Sequence, residues 1–165
     1  MYILLKTPRL YLRNLCAEDV ETIHAYRNDP ACYRYQRWED TSLSSIRSFV
    51  EDFEKDVFLS KKEEQHYAIC IGSALAGDLS WFYTEADNCI TLGITIAPEY
   101  QRRGIAREIL DAVIRAIQTN YPMLDIVALI DKENTPSIAL FEKLGFYREC
   151  YAESIASYVY VIDGK

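Results

Sequence analysis

The chain has 165 residues, half of them hydrophobic and 26% charged, with 18 basic residues against 25 acidic ones and a formal net charge of −7. This usage excludes a disordered chain, a collagen and a coiled-coil rod, and the acidic surplus argues against DNA or RNA as the main partner. The length fits a single domain over residues 1–165; with no run of about 18 apolar residues and no basic, apolar leader, neither a membrane span nor a signal peptide is expected.

Residues 2–13 alternate loosely, which predicts a first strand with Leu10 and Leu12 inward and Arg9, Tyr11 and Arg13 outward. Glu18 and Asp19 load the first turn of a short helix, which Asn28-Asp29-Pro30 ends. Residues 33–40, Tyr-Arg-Tyr-Gln-Arg-Trp-Glu-Asp, suit neither helix nor strand. Thr41 and Ser42 offer caps for a second helix, in which Leu43, Ile46, Val50 and Phe53 recur at helical spacing. Residues 66–71 and 79–84 read as strands with Gly72 and Gly77 around the turn between them, and Asp87-Asn88 marks the next turn. In the strand at 89–97, Ile90, Leu92, Ile94 and Ile96 share one face, and Thr91, Gly93, Thr95 and Ala97 the other. Three successive strands with short turns predict an antiparallel meander.

Pro98 ends that strand, and a long helix is predicted over 102–119, with Ile105, Ile109, Val113 and Ile117 forming one apolar stripe beside Leu110. Asn120 and Pro122 close it. Residues 125–130 form a compact apolar run, as in a strand buried on both faces, so the long helix reads as a crossover between parallel strands. Thr135 as N-cap and Pro136 at the first helical position start another helix. Gly145 suits its left-handed C′ position, with Phe146 folding back on Phe141 in a Schellman ending. Residues 147–152 and 157–162 are two closing strands. The expected architecture is α+β, a central mixed sheet of about seven strands with helices on both faces.

The five cysteines, Cys16, Cys32, Cys70, Cys89 and Cys150, contain no C-x-x-C pair and match no zinc spacing, so no metal is expected. They predict free thiols in a reducing, cytoplasmic setting. Chemistry concentrates in Gln101-Arg102-Arg103-Gly104-Ile105-Ala106, between a strand and a helix start. A helix start offers unpaired N–H groups and partial positive charge to a phosphate. Gly104 and Ala106 allow close approach, and Arg102, Arg103 and Arg107 add full charge. The plain alternative is a helix that merely begins with basic residues. Both the Walker pattern and the G-x-G-x-x-G fingerprint are absent.

Residues 92–106, Leu-Gly-Ile-Thr-Ile-Ala-Pro-Glu-Tyr-Gln-Arg-Arg-Gly-Ile-Ala, resemble the acetyl-CoA segment of GCN5-related N-acetyltransferases (GNAT), with its Gln/Arg-x-x-Gly-x-Gly/Ala pattern. Residues 134–146, Asn-Thr-Pro-Ser-Ile-Ala-Leu-Phe-Glu-Lys-Leu-Gly-Phe, resemble the second signature of that family. The opening Thr7-Pro8-Arg9-Leu10-Tyr11-Leu12-Arg13 is similar to the Rim-type branch, which acetylates protein N-termini and other amines. The resemblance implies that the strand edge at Ile94 and Ile96 pairs with the pantetheine amides. It further implies that N–H groups from Arg102 to Arg107 hold the pyrophosphate, that Asn134 reaches the pantetheine arm, and that Phe141 lies near the thioester sulfur. Tyr35, Trp38 and Glu39 become the expected acceptor wall, because the connection between the first helices serves that role in relatives. Rim-type relatives often pair as dimers, which makes a homodimer an expectation of the same kind.

The sequence departs from the family where many members carry a tyrosine that protonates the leaving thiolate: here Phe141 stands there. Ser137 matches a serine that Rim-type relatives are thought to use instead, against the plain reading of an exposed first-turn serine. Leu129 occupies a position where some Rim-type enzymes carry a glutamate base. No base is assigned: His24, His66, Asp78 and Glu85 carry no distinguishing signal, the last two standing near the ends of the meander. The expected reaction is direct acetyl transfer from acetyl-CoA to a primary amine, without a covalent enzyme intermediate. A catalytically silent acyl-CoA-binding protein is the main alternative, and a nucleotide-binding module using the arginine loop is the weaker one.

Overall fold

The computed structural model describes residues 2–53 and 58–165. One eight-stranded sheet runs in the order β1-β2-β3-β4-β5-β6-β8-β7. Its strands are β1 (Ile3–Lys6), β2 (Leu10–Asn14), β3 (Glu64–Ile71), β4 (Ala74–Thr84), β5 (Cys89–Ile96), β6 (Asp125–Asp131), β7 (Tyr147–Ala152) and β8 (Ser157–Ile162). Every neighbouring pair is antiparallel except β5 and β6. The helices are α1 (Val20–Arg27), α2 (Pro30–Tyr33), α3 (Leu43–Phe53), α4 (Ile105–Asn120) and α5 (Thr135–Lys143). As expected, α4 is the crossover that joins the two parallel strands.

Alternation along the central strands sorts the core. Leu10, Leu12, Tyr67, Ile69, Leu79, Trp81, Ile90 and Leu92 pack against Ile105, Ile109, Leu110, Val113 and Ile117 of α4. Ala68 and Cys70 of β3 point the other way, onto Ile23 and Tyr26 of α1 and Ile46 and Val50 of α3. Each fully buried aliphatic side chain contributes about 1.5–3 kcal/mol, so the predicted α4 stripe is a main anchor of the fold.

Several elements differ from the sequence reading. The single strand expected over 2–13 is a hairpin, which supplies the eighth strand. Thr7 N–H donates to the Leu10 carbonyl (2.8 Å), and Leu10 N–H donates to Thr7 Oγ1 (3.0 Å), closing a turn around Pro8. Pro30 does not only end α1; it opens α2, whose N-cap Asp29 accepts from Ala31 N–H. Ser42 caps α3 by accepting from Ser45 N–H (3.3 Å), whereas the Thr41 hydroxyl donates to Asn28 Oδ1 (2.7 Å). Gly77 lies inside β4 opposite Ile96, where a Cβ would run into the Thr95 carbonyl oxygen; close approach, not a turn, requires glycine there. Strand β6 is not buried on both faces: Ile126, Ala128 and Ile130 are buried, while Leu129 is 49% exposed. The long helix starts at Ile105, three residues later than predicted, because Arg102 and Gly104 have left-handed φ angles of 62° and 74°.

Candidate active site

The site begins where two strands part. β5 pairs with β6 only from Cys89 to Thr91, against residues 125–127. β5 nevertheless stays paired with β4 through Ile96, and β6 with β8 through Asp131. The edge of β5 beyond Thr91 therefore faces an opening, and a cavity of about 520 Å³ fills it, lined by residues 91–95, residues 128–131 and Asn134, Ser137 and Phe141 around α5. An unpaired strand edge is a template for another extended chain of amides. Ile94 lines this opening; Ile96 does not, and its carbonyl accepts from Gln101 Nε2 (2.9 Å) and from the Cys32 thiol (3.4 Å). Gln101 thus braces the end of β5 instead of facing the cavity.

The turn after β5 is a second feature. Gly104 is the N-cap of α4 and supplies no side-chain cap; the first helical bond runs from Glu108 N–H to the Gly104 carbonyl (3.1 Å). The N–H groups of Ile105, Ala106 and Arg107 precede it and have no acceptor within the helix. Arg102, Arg103 and Arg107 are exposed around this end. Arg9 joins them: its Nε donates to Glu108 Oε2 (2.7 Å) and its Nη1 to the Arg103 carbonyl (3.0 Å). Burial favours the protonated form of Glu108, but the hydrogen bonds from Arg9 and Thr7 outweigh it and hold the carboxyl below its ordinary value. No local sequence signal points to Arg9, because the hairpin alone brings it there.

On α5 the N-cap is Asn134, one residue earlier than predicted, and its Oδ1 accepts from Ser137 N–H (3.4 Å). The Schellman ending is present: Phe146 N–H donates to the Phe141 carbonyl and Gly145 N–H to that of Glu142, both at 3.1 Å. The two phenyl rings meet edge to face at 5.1 Å, which fixes Phe141 in the cavity wall.

Opposite α5, the connection between α2 and α3 contributes Tyr35, Gln36, Arg37 and Trp38; Glu39 is not part of the wall. The Arg27 guanidinium stands 4.2 Å from the Phe49 ring and 4.8 Å from the Trp38 ring. It faces Asp78 Oδ1 at 3.6 Å, and the Tyr26 hydroxyl donates to Asp78 Oδ2. Burial, then the Asp78 charge, pushes the Tyr26 phenol well up, so it remains a donor. Asp78 sits mid-strand in β4, 3% exposed, not near the end of the meander as expected.

His66 and Glu64 also line the cavity, whereas His24 and Glu85 do not. His66 Nε2 lies 3.0 Å from Glu64 Oε1. All five cysteines are free thiols, and among the described residues no group of three or more His, Cys, Asp or Glu could hold a metal. No described helix is long and apolar enough to cross a membrane.

Residues 9–147 match the sequence model of the acetyltransferase (GNAT) domain. An uncharacterized N-acetyltransferase, YoaA, of Bacillus subtilis is 27% identical over 155 residues, 90% of this chain and 85% of that protein. The spermidine N(1)-acetyltransferase of Escherichia coli is 25% identical over 143 residues, 82% and 71% of the two chains. The apo structure of RimL, a ribosomal L7/L12 alpha-N-protein acetyltransferase, superposes with a TM-score of 0.83 at 17% identity, covering 98% of this chain and 94% of its own.

Proposed function

The chain belongs to the GNAT acetyltransferase family, and on that premise we propose that it transfers the acetyl group of acetyl-CoA to a primary amine, either a small molecule or a protein N-terminus, by direct attack in a ternary complex. The observation that carries this reading is the parting of β5 from β6 beside Ile94, with the basic, uncapped start of α4 following directly in the chain. The strand edge suits the amides of a pantetheine arm, and the helix start with Arg102, Arg103 and Arg107 suits a diphosphate. Left-handed Gly104 keeps the approach to Ile105 and Ala106 clear. Asn134, whose side-chain oxygen caps α5, offers its remaining amide hydrogens to the arm.

Chemistry follows from the same geometry. The amine arrives as ammonium, with a pKa of about 10, and sheds one proton before attack. In this reading the backbone N–H of Ile94, at the mouth of the splay, receives the oxyanion. Phe141 has no proton to give, so the Ser137 hydroxyl, in the same wall, is the donor to the departing thiolate. Amine acetylation by the spermidine and ribosomal-protein relatives supports the acceptor class, and the five free thiols support a reducing, cytoplasmic setting.

Phe141 also favours a second reading, a silent acyl-CoA-binding protein. Calorimetric titration with acetyl-CoA, followed by thiol detection across a panel of primary amines, separates the two. Binding with release of CoA for at least one amine is expected. Binding without release for any amine leaves the silent binder; no binding refutes both.

A further inference from the structure

We propose that the Glu64–His66 pair, reached across a floor made by Ser80 and Gly93, takes up the proton that the acceptor ammonium loses. This rests on the acetyltransferase reading above. The two residues stand on β3, and Ser80 lies opposite His66 on β4, with Gly93 opposite Ser80 on β5. All four line the cavity. A Cβ at Gly93 would run into Ser80 Oγ, so the hydroxyl lies over the glycine at the edge where β5 parts from β6. Strands are about 4.8 Å apart, which puts β3 about 10 Å from β5. The Ser80 hydroxyl stands on the strand between them and divides that span into two hops; its hydrogen bond to His66 Nδ1, absent among the described residues, forms when the acceptor amine is bound.

His66 is the acceptor because the other groups in the wall are committed. Guanidinium groups of Arg27 and Arg37 offer donors only. Asp78 receives Tyr26 on one oxygen and faces Arg27 with the other. Asp131 accepts the Glu133 N–H (2.9 Å) at the far end of β6. His66 is 7% exposed, and among the described residues its Nδ1 is buried without a hydrogen-bond partner. A carboxylate only accepts, so Nε2 donates to Glu64 and the lone pair is left on Nδ1. Around the ring, α3 presents Phe49 and Phe53, β4 presents Phe82 and the Asp78 charge, and α1 presents the Arg27 charge. Burial is the largest influence and lowers the His66 pKa, against the opposing pull of Glu64, so the ring is neutral at neutral pH.

The step balances. One ammonium N–H bond breaks, and its proton passes by way of Ser80 to His66 Nδ1. The Nε2 proton is shared with Glu64, whose side chain is 47% exposed and releases a proton to solvent. The freed amine forms the C–N bond, the C–S bond breaks, and the second amine proton ends on the CoA sulfur.

Steady-state kinetics across pH test this, with acetyl-CoA and an amine that the wild-type chain acetylates. His66→Phe keeps a ring among Phe49, Phe53 and Phe82; kcat should fall about 100-fold with the acetyl-CoA KM unchanged. The acidic limb of the pH profile should disappear. Ser80→Ala should slow kcat about tenfold, and Glu64→Gln should move the acidic limb to lower pH. Proton NMR of the two histidines provides a readout independent of turnover, read against His24→Gln: His66 should titrate below 6.5, and lower still in Glu64→Gln. A folded His66→Phe enzyme with wild-type kcat and an intact acidic limb overturns the proposal. Should His66→Phe fail to fold, an acidic limb and a His66 titration both unmoved in Glu64→Gln overturn it equally. Wild-type protein that acetylates no amine refutes the parent reading instead.

Discussion

Arg9 and Glu108 meet across 99 residues of chain, with Arg9 Nε donating to Glu108 Oε2 at 2.7 Å and Arg9 N–H to Oε1 at 3.1 Å. The contact ties the β1–β2 turn to the first turn of α4. It also neutralises the one acidic side chain in that first turn, beside the helix start proposed to hold a diphosphate.

Arg9→Ala therefore releases a carboxylate beside the three N–H groups that have no acceptor within the helix and frees the Arg103 carbonyl. The expected result is an acetyl-CoA Kd about tenfold weaker, corresponding to about 1.4 kcal/mol. Stability should change by less than about 1 kcal/mol, since the pair is partly exposed. Isothermal calorimetry and a urea melt measure the two quantities, and an unchanged Kd removes the turn from the cofactor site.

Trp38 belongs to the cavity wall and stacks near Arg27, while Glu39 stands outside it. Trp38→Ala should raise the acceptor KM about tenfold, as expected for loss of a stacked aromatic wall. Acetyl-CoA affinity should stay within about twofold. Glu39→Ala should alter neither constant. Equal losses for both substrates in Trp38→Ala would assign the residue to the fold instead of to the acceptor.

Ser137 carries the second proton of the reaction in the proposed scheme. The leaving thiolate has an intrinsic pKa of about 8.5, so it departs tolerably without help. Ser137→Ala should lower kcat at saturating substrates about tenfold to 100-fold, with the fold intact because Asn134 Oδ1 accepts from the Ser137 backbone, which alanine keeps. A wild-type kcat excludes the hydroxyl from the mechanism.

Burial lowers the His66 pKa below its unfolded value of about 6.5. The unfolded chain then binds more protons than the folded one as pH falls from about 6.5 through the folded pKa, so this group makes folding stability decline in that window. His66→Phe removes this contribution. Chemical denaturation at pH 7.5 and pH 5 should show a smaller loss on acidification in the variant than in the wild type, and an equal loss contradicts the buried neutral ring.

Local patterns carried most of the architecture into view. The α4 stripe, the meander, the closing strands and the Schellman ending at Gly145 all follow from spacing and from residue types with strong local preferences. Several of the misplacements share a cause. A proline or glycine marks a break without saying whether the chain turns, starts a helix as at Pro30, or lets another backbone come close as at Gly77.

Sequence alone determined the fold class and the basic turn at 101–107, because hydrophobic periodicity and helix-start chemistry are properties of neighbouring residues. Tertiary structure decided what surrounds the reacting groups. Arg9 reaches Glu108, Asp78 is locked by Tyr26 and Arg27, and His66 stands one strand from Ser80 and two from Gly93 only because the strands pair in one register. Such groups are far apart along the chain, and only the closing of the sheet brings them together.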